Sequence, residues 1–161
     1  MPGGPEPGLR EGLSPLFWPV RRRPGSILVL DERALPGRER WLEVRSLGAA
    51  LEVVRAMRTR AFGQLLVFLE TLRMLEPAEA ERALELFPRA RPTFPFAEVG
   101  EALRPHVRSG RHREAIEAML EEVWRGRWAR AERLAGLLRG RVLTHCNVSG
   151  EVALQPGSGL G

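Results

Sequence analysis

The densest grouping of reactive side chains in this 161-residue sequence is Thr144-His145-Cys146-Asn147, which holds its only cysteine and its only asparagine. A thiol beside a cationic imidazole, or beside the backbone amides of a helix N-terminus, has a lowered pKa and can exchange a proton with a substrate carbon or oxygen. Adjacent side chains on an extended segment point to opposite sides, so His145 need not touch Cys146, and a buried structural thiol is the competing reading. A second grouping is cationic. Arg58, Arg60 and Arg91 lie near Gly63 and Thr93, where helical regularity breaks. Guanidinium groups beside exposed backbone amides can clamp a phosphate bidentately, although in a chain with 25 arginines they can equally be solvated surface.

Other chemistries find less support. There is no Gly-Lys phosphate loop, no HExxH helix and no trustworthy pair of carboxylates. His106 and His112 do not share a helical face, so no metal is assigned, and no cofactor is expected. Trp124 and Trp128, spaced i,i+4, fit a core stripe better than a binding surface.

Composition narrows the setting. One thiol cannot build a disulfide framework, and no apolar run approaches the roughly 20 residues of a membrane span. The N-terminus, Met1 to Gly8, lacks the charged and apolar regions of a signal peptide, so a cytoplasmic location is expected. The net charge of +5 comes from arginine alone, because the sequence has no lysine. Arginine in place of lysine raises the isoelectric point without adding charge at pH 7. Acidic residues are interspersed throughout, so the basic balance does not mark a nucleic-acid surface.

The elements that must position these groups follow from periodicity. Residues 1–15 are rich in Pro and Gly and read as flexible, with order beginning near Leu16-Phe17-Trp18. Ile27–Leu30 and Trp41–Val44, separated by a Pro36-Gly37 turn, suggest a small antiparallel pair. Ser46 fits the N-cap of a helix whose apolar face carries Leu47, Leu51, Val54 and Met57. A break around Gly63 precedes a broadly apolar helix carrying Leu65, Leu66, Phe68, Leu69, Leu72 and Leu75. Pro77 suits the first turn of another helix, expected to reach Phe87 and stop before Pro88.

Arg91-Pro92-Thr93-Phe94-Pro95 is expected to be extended, and Ala97–Val107 weakly helical. From His112 to Leu138 the residues Ile116, Met119, Leu120, Val123, Trp124, Trp128, Ala131, Leu134 and Leu138 trace one face. This predicts one long helix, or two joined near Gly126, ended by Gly140. Arg141–Thr144 then reads as a buried strand running into the cysteine loop.

At Thr144-His145-Cys146-Asn147, followed by Ser149-Gly150, the sequence resembles the family of methylthioribose-1-phosphate isomerases, ribose-1,5-bisphosphate isomerases and the alpha, beta and delta subunits of translation initiation factor 2B. Three further segments support the resemblance. Leu28–Gly37 is similar to the family's "LDQRKLPG" strand and turn, with Trp41–Val44 following in register. Met57–Gly63 takes the place of "VRGAPAIG", with Thr59-Arg60 for Gly-Ala and a bulky Phe62, and Arg91-Pro92-Thr93 matches the start of "RPTAVNL".

The resemblance implies a mainly α fold: a helical domain over residues 16–140 with a small antiparallel β element, then residues 141–161 as the first strand of a truncated Rossmann-like α/β domain. It implies interconversion of an aldose and a ketose phosphate, as in methionine salvage. Cys146 would be the catalytic residue and Arg58, Arg91 and Asn147 the substrate-binding residues. The catalytic aspartate of the isomerases has no counterpart in these residues, so the chain is not expected to be active alone. The expected partners are a sugar phosphate, and a second copy or another protein. The alternative is a non-catalytic module, like the initiation-factor subunits, that binds a protein partner or a phosphorylated ligand.

Overall fold

The computed structural model describes residues 14–137, so the expectations for the Cys146 loop, the Arg141–Thr144 strand and the stop at Gly140 lie outside the described residues. The described part is mainly helical with one small sheet. It divides into two compact units, Pro19–Met119 and the pairing of residues 14–18 with 120–137.

In the first unit three strands, β1 (Val20–Arg23), β2 (Ser26–Leu30) and β3 (Trp41–Val44), form an antiparallel sheet in that order. The expected pairing of the second and third runs is present, with Ile27 opposite Val44 and Leu30 opposite Trp41. β1 is an addition that the alternation of apolar residues did not reveal, because it carries Arg21-Arg22-Arg23. The pleat sends the first two arginines to opposite faces. Arg21 lies over the Trp41 ring, 4.0 Å from its centroid, while the Arg22 Nε donates to both carboxylate oxygens of Glu70, at 2.8 and 3.0 Å. Pro24-Gly25 closes the β1–β2 hairpin, with Gly25 at φ +69°, the left-handed conformation that glycine adopts without a Cβ penalty.

Five helices follow: α1 (Leu47–Arg55), α2 (Ala61–Met74), α3 (Pro77–Ala90), α4 (Phe96–Arg108) and α5 (His112–Leu137). The Ser46 hydroxyl caps α1 by accepting from the Ala49 N–H at 3.3 Å, as its position predicts. α2 buries Leu66, Val67, Phe68, Leu69 and Leu72, and its apolar girth fits a helix enclosed by neighbours. Phe68 meets Phe87 of α3 and Phe96 of α4, with ring centroids 4.8 and 5.1 Å apart in tilted geometry. Glu70 is the polar exception on α2. Only 3% of its side chain is exposed, and Arg73 adds a bond of 2.7 Å to the pair from Arg22. Burial by itself would lower the Arg22 pKa, but its bonds to Glu117 and Glu70 raise it above the ordinary value.

Two carbonyls at the C-terminal end of α2 are closed by the start of α5. The buried His112 Nε2 donates to the Leu75 carbonyl at 3.1 Å, and the Arg113 Nε donates to that of Arg73 at 3.1 Å.

Four local expectations need correction. Met57 does not extend the α1 face; it lies beyond the helix, 43% exposed, at φ 53°. The chain breaks at residues 57–60 rather than at Gly63, which sits in the first turn of α2. α3 continues through Pro88 to Ala90, because a proline so near the end disturbs only one intrahelical bond. Arg91–Pro95 is a turn, with the Phe94 N–H donating to the Arg91 carbonyl at 3.2 Å, rather than an extended segment.

The second unit contains the long part of α5, unbroken at Gly126, and a 3-10 turn at Pro15–Phe17 capped by Ser14. Phe17 packs on Trp124 and Trp128 with centroids 5.0 and 5.1 Å away, and Trp18 meets Trp124 at 5.2 Å. The tryptophan pair therefore serves as packing. Arg127 lies on the same buried stripe, 5.2 Å from the Phe17 ring centroid. Burial, helped by Arg130, pushes its pKa down to about 10.

Candidate functional site

The loop between α1 and α2 draws two of the three expected cationic residues, Arg58 and Arg60, toward the end of β2. α1 ends in a Schellman turn: the Met57 N–H donates to the Val54 carbonyl at 3.1 Å and the Arg58 N–H to that of Val53 at 3.0 Å. The left-handed residue of that turn is Met57, where glycine is favoured. The end of α4 makes the same turn with Gly110 at φ +72°. Reversal at Met57 sends Arg58 back to the segment just past β2. There the Glu32 N–H donates to the Arg58 carbonyl at 2.8 Å.

Two adjacent carboxylates receive the loop. Asp31 is buried, and its Oδ2 accepts from the Arg58 Nη1 at 3.2 Å while Oδ1 accepts from the Arg33 N–H at 3.4 Å. Glu32 Oε1 accepts from the Thr59 hydroxyl and from the Arg60 N–H, the latter at 2.9 Å. The Arg60 guanidinium stands 4.0 Å from the other oxygen. Arg33 closes the frame by donating to the Ala56 carbonyl at 3.1 Å.

Thr59 explains Gly63. A Cβ on Gly63 would lie 1.8 Å from the Thr59 Oγ1, so the α2 start admits no side chain while the threonine keeps its place. Gln64, fully buried, donates to the Thr59 carbonyl at 2.8 Å and to the Met57 sulfur at 3.3 Å; its Oε1 has no hydrogen-bond partner.

Arg91 sits elsewhere, at the end of α3, where its N–H donates to the Phe87 carbonyl at 3.2 Å. Its Nε is buried without a hydrogen-bond partner. Arg58 and Arg91 share no hydrogen-bond or ion-pair partner among the described residues. Cys146 and Asn147 lie outside the described residues. Among the described residues no group of three or more His, Cys, Asp and Glu side chains could hold a metal ion, and no helix is long and apolar enough to cross a membrane.

Chemically, the loop offers arginines already oriented by acidic partners. The Arg58 guanidinium keeps 34% of its side chain exposed while one nitrogen is held, which suits hydrogen bonding to a planar or tetrahedral oxyanion. Reading by residue type missed Asp31, Glu32 and Gln64 as parts of this loop. An available signal was the reciprocity of Asp31-Glu32 with Arg58-Thr59-Arg60: two acids facing two bases, at chain positions fixed by the hairpin and the α1 break.

No protein-family profile matches the chain. Curated relatives do. The chain is 30% identical over 166 residues to a protein of Anaeromyxobacter sp. (strain K) named methylthioribose-1-phosphate isomerase, covering 95% of this chain and 48% of the relative. It is likewise 30% identical over 152 residues to the protein of that name from Yersinia pestis (strain Pestoides F), covering 85% of this chain and 43% of the relative. The chain thus spans about half the length of the curated relatives it matches. Along nearly all of its own length, it is a homologue of proteins named methylthioribose-1-phosphate isomerase.

Proposed function

We propose that these 161 residues supply the phosphate-holding part of a sugar-phosphate isomerase site. The ligand class is a phosphorylated pentose of the kind named in the relatives, methylthioribose 1-phosphate, an intermediate of methionine salvage. The observation that carries this reading is the Arg58 loop: a half-exposed guanidinium fixed at the end of β2, on residues that fall within the matched length. Arg91, with an unpartnered Nε, is the second phosphate contact, and Asn147 contacts the sugar beside Cys146.

Cys146 is the proton-transfer residue of an aldose-ketose interconversion in this reading. In such a reaction a proton leaves the carbon next to the carbonyl and one is returned to the neighbouring carbon, so a base and an acid are both needed. A thiolate that takes the proton becomes the thiol that can return it, so the further group needed is one that moves protons on the sugar oxygens; in this reading these residues by themselves bind the ligand without turning it over. Residues 16–140 form the helical part and residues 141–161 open a Rossmann-like α/β part in a cytoplasmic protein.

Phosphorus NMR tests this. The chain mixed with methylthioribose 1-phosphate should broaden and shift the phosphate resonance while no ketose phosphate signal grows. An unshifted resonance would contradict the proposed binding, and a growing ketose signal would contradict the binding-only reading. The initiation-factor-like alternative predicts stable association with a protein partner and no preference for the sugar phosphate over inorganic phosphate.

A further inference from the structure

The arginine loop is built by residues that do not themselves present a positive charge. Asp31 and Glu32 are consecutive, one buried and one partly so, and between them they accept from the Arg58 side chain, the Thr59 hydroxyl and the Arg60 N–H. The Glu32 N–H also donates to the Arg58 carbonyl. Every residue of Arg58-Thr59-Arg60 is therefore held by the acidic pair, through side chain and backbone alike.

From this arrangement we infer that Asp31 and Glu32 are positioning residues for phosphate binding by the Arg58 loop, a role that rests on the sugar-phosphate reading above. A flexible arginine loses rotamer freedom when it grips an anion, and an arginine already fixed by a buried carboxylate has lost most of it beforehand. Asp31 takes one guanidinium nitrogen and leaves the others, on a side chain 34% exposed, for the ligand. It also lowers the local positive charge, so the gain is in orientation and selectivity for a correctly shaped oxyanion rather than in general attraction for anions. Glu32 does the same for the backbone: with Thr59 and the Arg60 N–H anchored, the α2 start cannot rotate away from Arg58.

A double-mutant cycle on ligand affinity tests the role, with methylthioribose 1-phosphate and inorganic phosphate as probes in calorimetry. Arg58→Ala should weaken sugar-phosphate binding at least tenfold. Asp31→Asn, which keeps the shape but not the charge, should weaken it about fivefold in the wild-type background and not further in the Arg58→Ala background. Nitrogen-15 spectra of the arginine side chains should show a restricted Arg58 guanidinium in wild type that becomes averaged in Asp31→Asn, a change that a merely structural residue would not produce. Glu32→Ala supplies a second route should Asp31→Asn not fold, with the same expected coupling to Arg58. Arg58→Ala weakening binding while Asp31→Asn and Glu32→Ala do not would overturn the positioning role alone. Unchanged affinity in Arg58→Ala would overturn the phosphate contact and the positioning role together.

Discussion

Asp31, with 3% of its side chain exposed, accepts a hydrogen bond of 3.2 Å from the Arg58 Nη1, across 27 positions of sequence. The contact joins the two segments, Leu28–Gly37 and Met57–Gly63, on which much of the family resemblance rested. They are two halves of one structure: a strand end bearing two acids and a helix break bearing two bases. A buried carboxylate left without its cation is strongly destabilising, so the pair also ties the α1–α2 loop to the sheet.

The Schellman turn at the end of α1 carries a side chain where the backbone is left-handed, at Met57 with φ 53°. Met57→Gly removes the Cβ penalty, partly offset by the greater freedom of glycine in the unfolded chain, and should stabilise the protein by about 0.5–1 kcal/mol. Urea denaturation measures it; a lower midpoint for Met57→Gly would contradict the assignment.

Gly63 has no room for a methyl group while the Thr59 hydroxyl stays bonded to Glu32. Gly63→Ala should cost about 1–3 kcal/mol, the range for overpacking a tight site. Thr59→Ala in the same chain should recover part of that loss, since it removes the nearest atom. Equal stabilities for Gly63→Ala and Thr59→Ala/Gly63→Ala would show that the crowding is not at Thr59.

Glu70 and Glu117 both bond Arg22, yet they differ in exposure, at 3% and 47%. Glu70→Gln should cost about 3 kcal/mol because two arginines lose a buried anion, whereas Glu117→Gln should cost less than about 1 kcal/mol. Denaturation midpoints compare them directly, and a larger loss for Glu117→Gln would reverse the account.

Arg127 gives an unusual alkaline signature. Its folded pKa of about 10 is below that of an ordinary arginine in the unfolded chain, so between these values the unfolded chain binds the extra proton and stability rises with pH. The sequence has no lysine and no tyrosine, the residue types that would otherwise titrate in this window. Stability followed by tryptophan fluorescence should therefore climb from about pH 10 toward pH 12, and Arg127→Met should be more stable near neutrality and lack the climb. A flat wild-type profile would contradict the burial of a charged Arg127.

Much of this fold is legible in sequence where apolar spacing decides the outcome. Ser46 as a cap, Pro77 at a helix start, the apolar α2 and the β2–β3 pairing all follow from local patterns. β1 was not legible because its inward residue is Arg22, whose burial depends on Glu70, 48 positions away. Arg127 escaped for the same reason: its stem lies on the apolar stripe although its residue type reads as polar surface. At the site, residue type pointed to Arg58 and Arg91 but not to the acids that hold Arg58, since reciprocity between distant charges becomes visible only once the hairpin and the α1 break are placed.

The central claim is that the Arg58 loop and Arg91 hold a sugar phosphate, and affinity for methylthioribose 1-phosphate measured by calorimetry tests it most directly. Arg58→Lys keeps a cation for Asp31 but loses the fork of donors, and Arg91→Ala removes the second contact. Each should weaken binding at least tenfold relative to wild type, with the folded-state spectrum unchanged. Wild-type affinity in both variants would contradict the account.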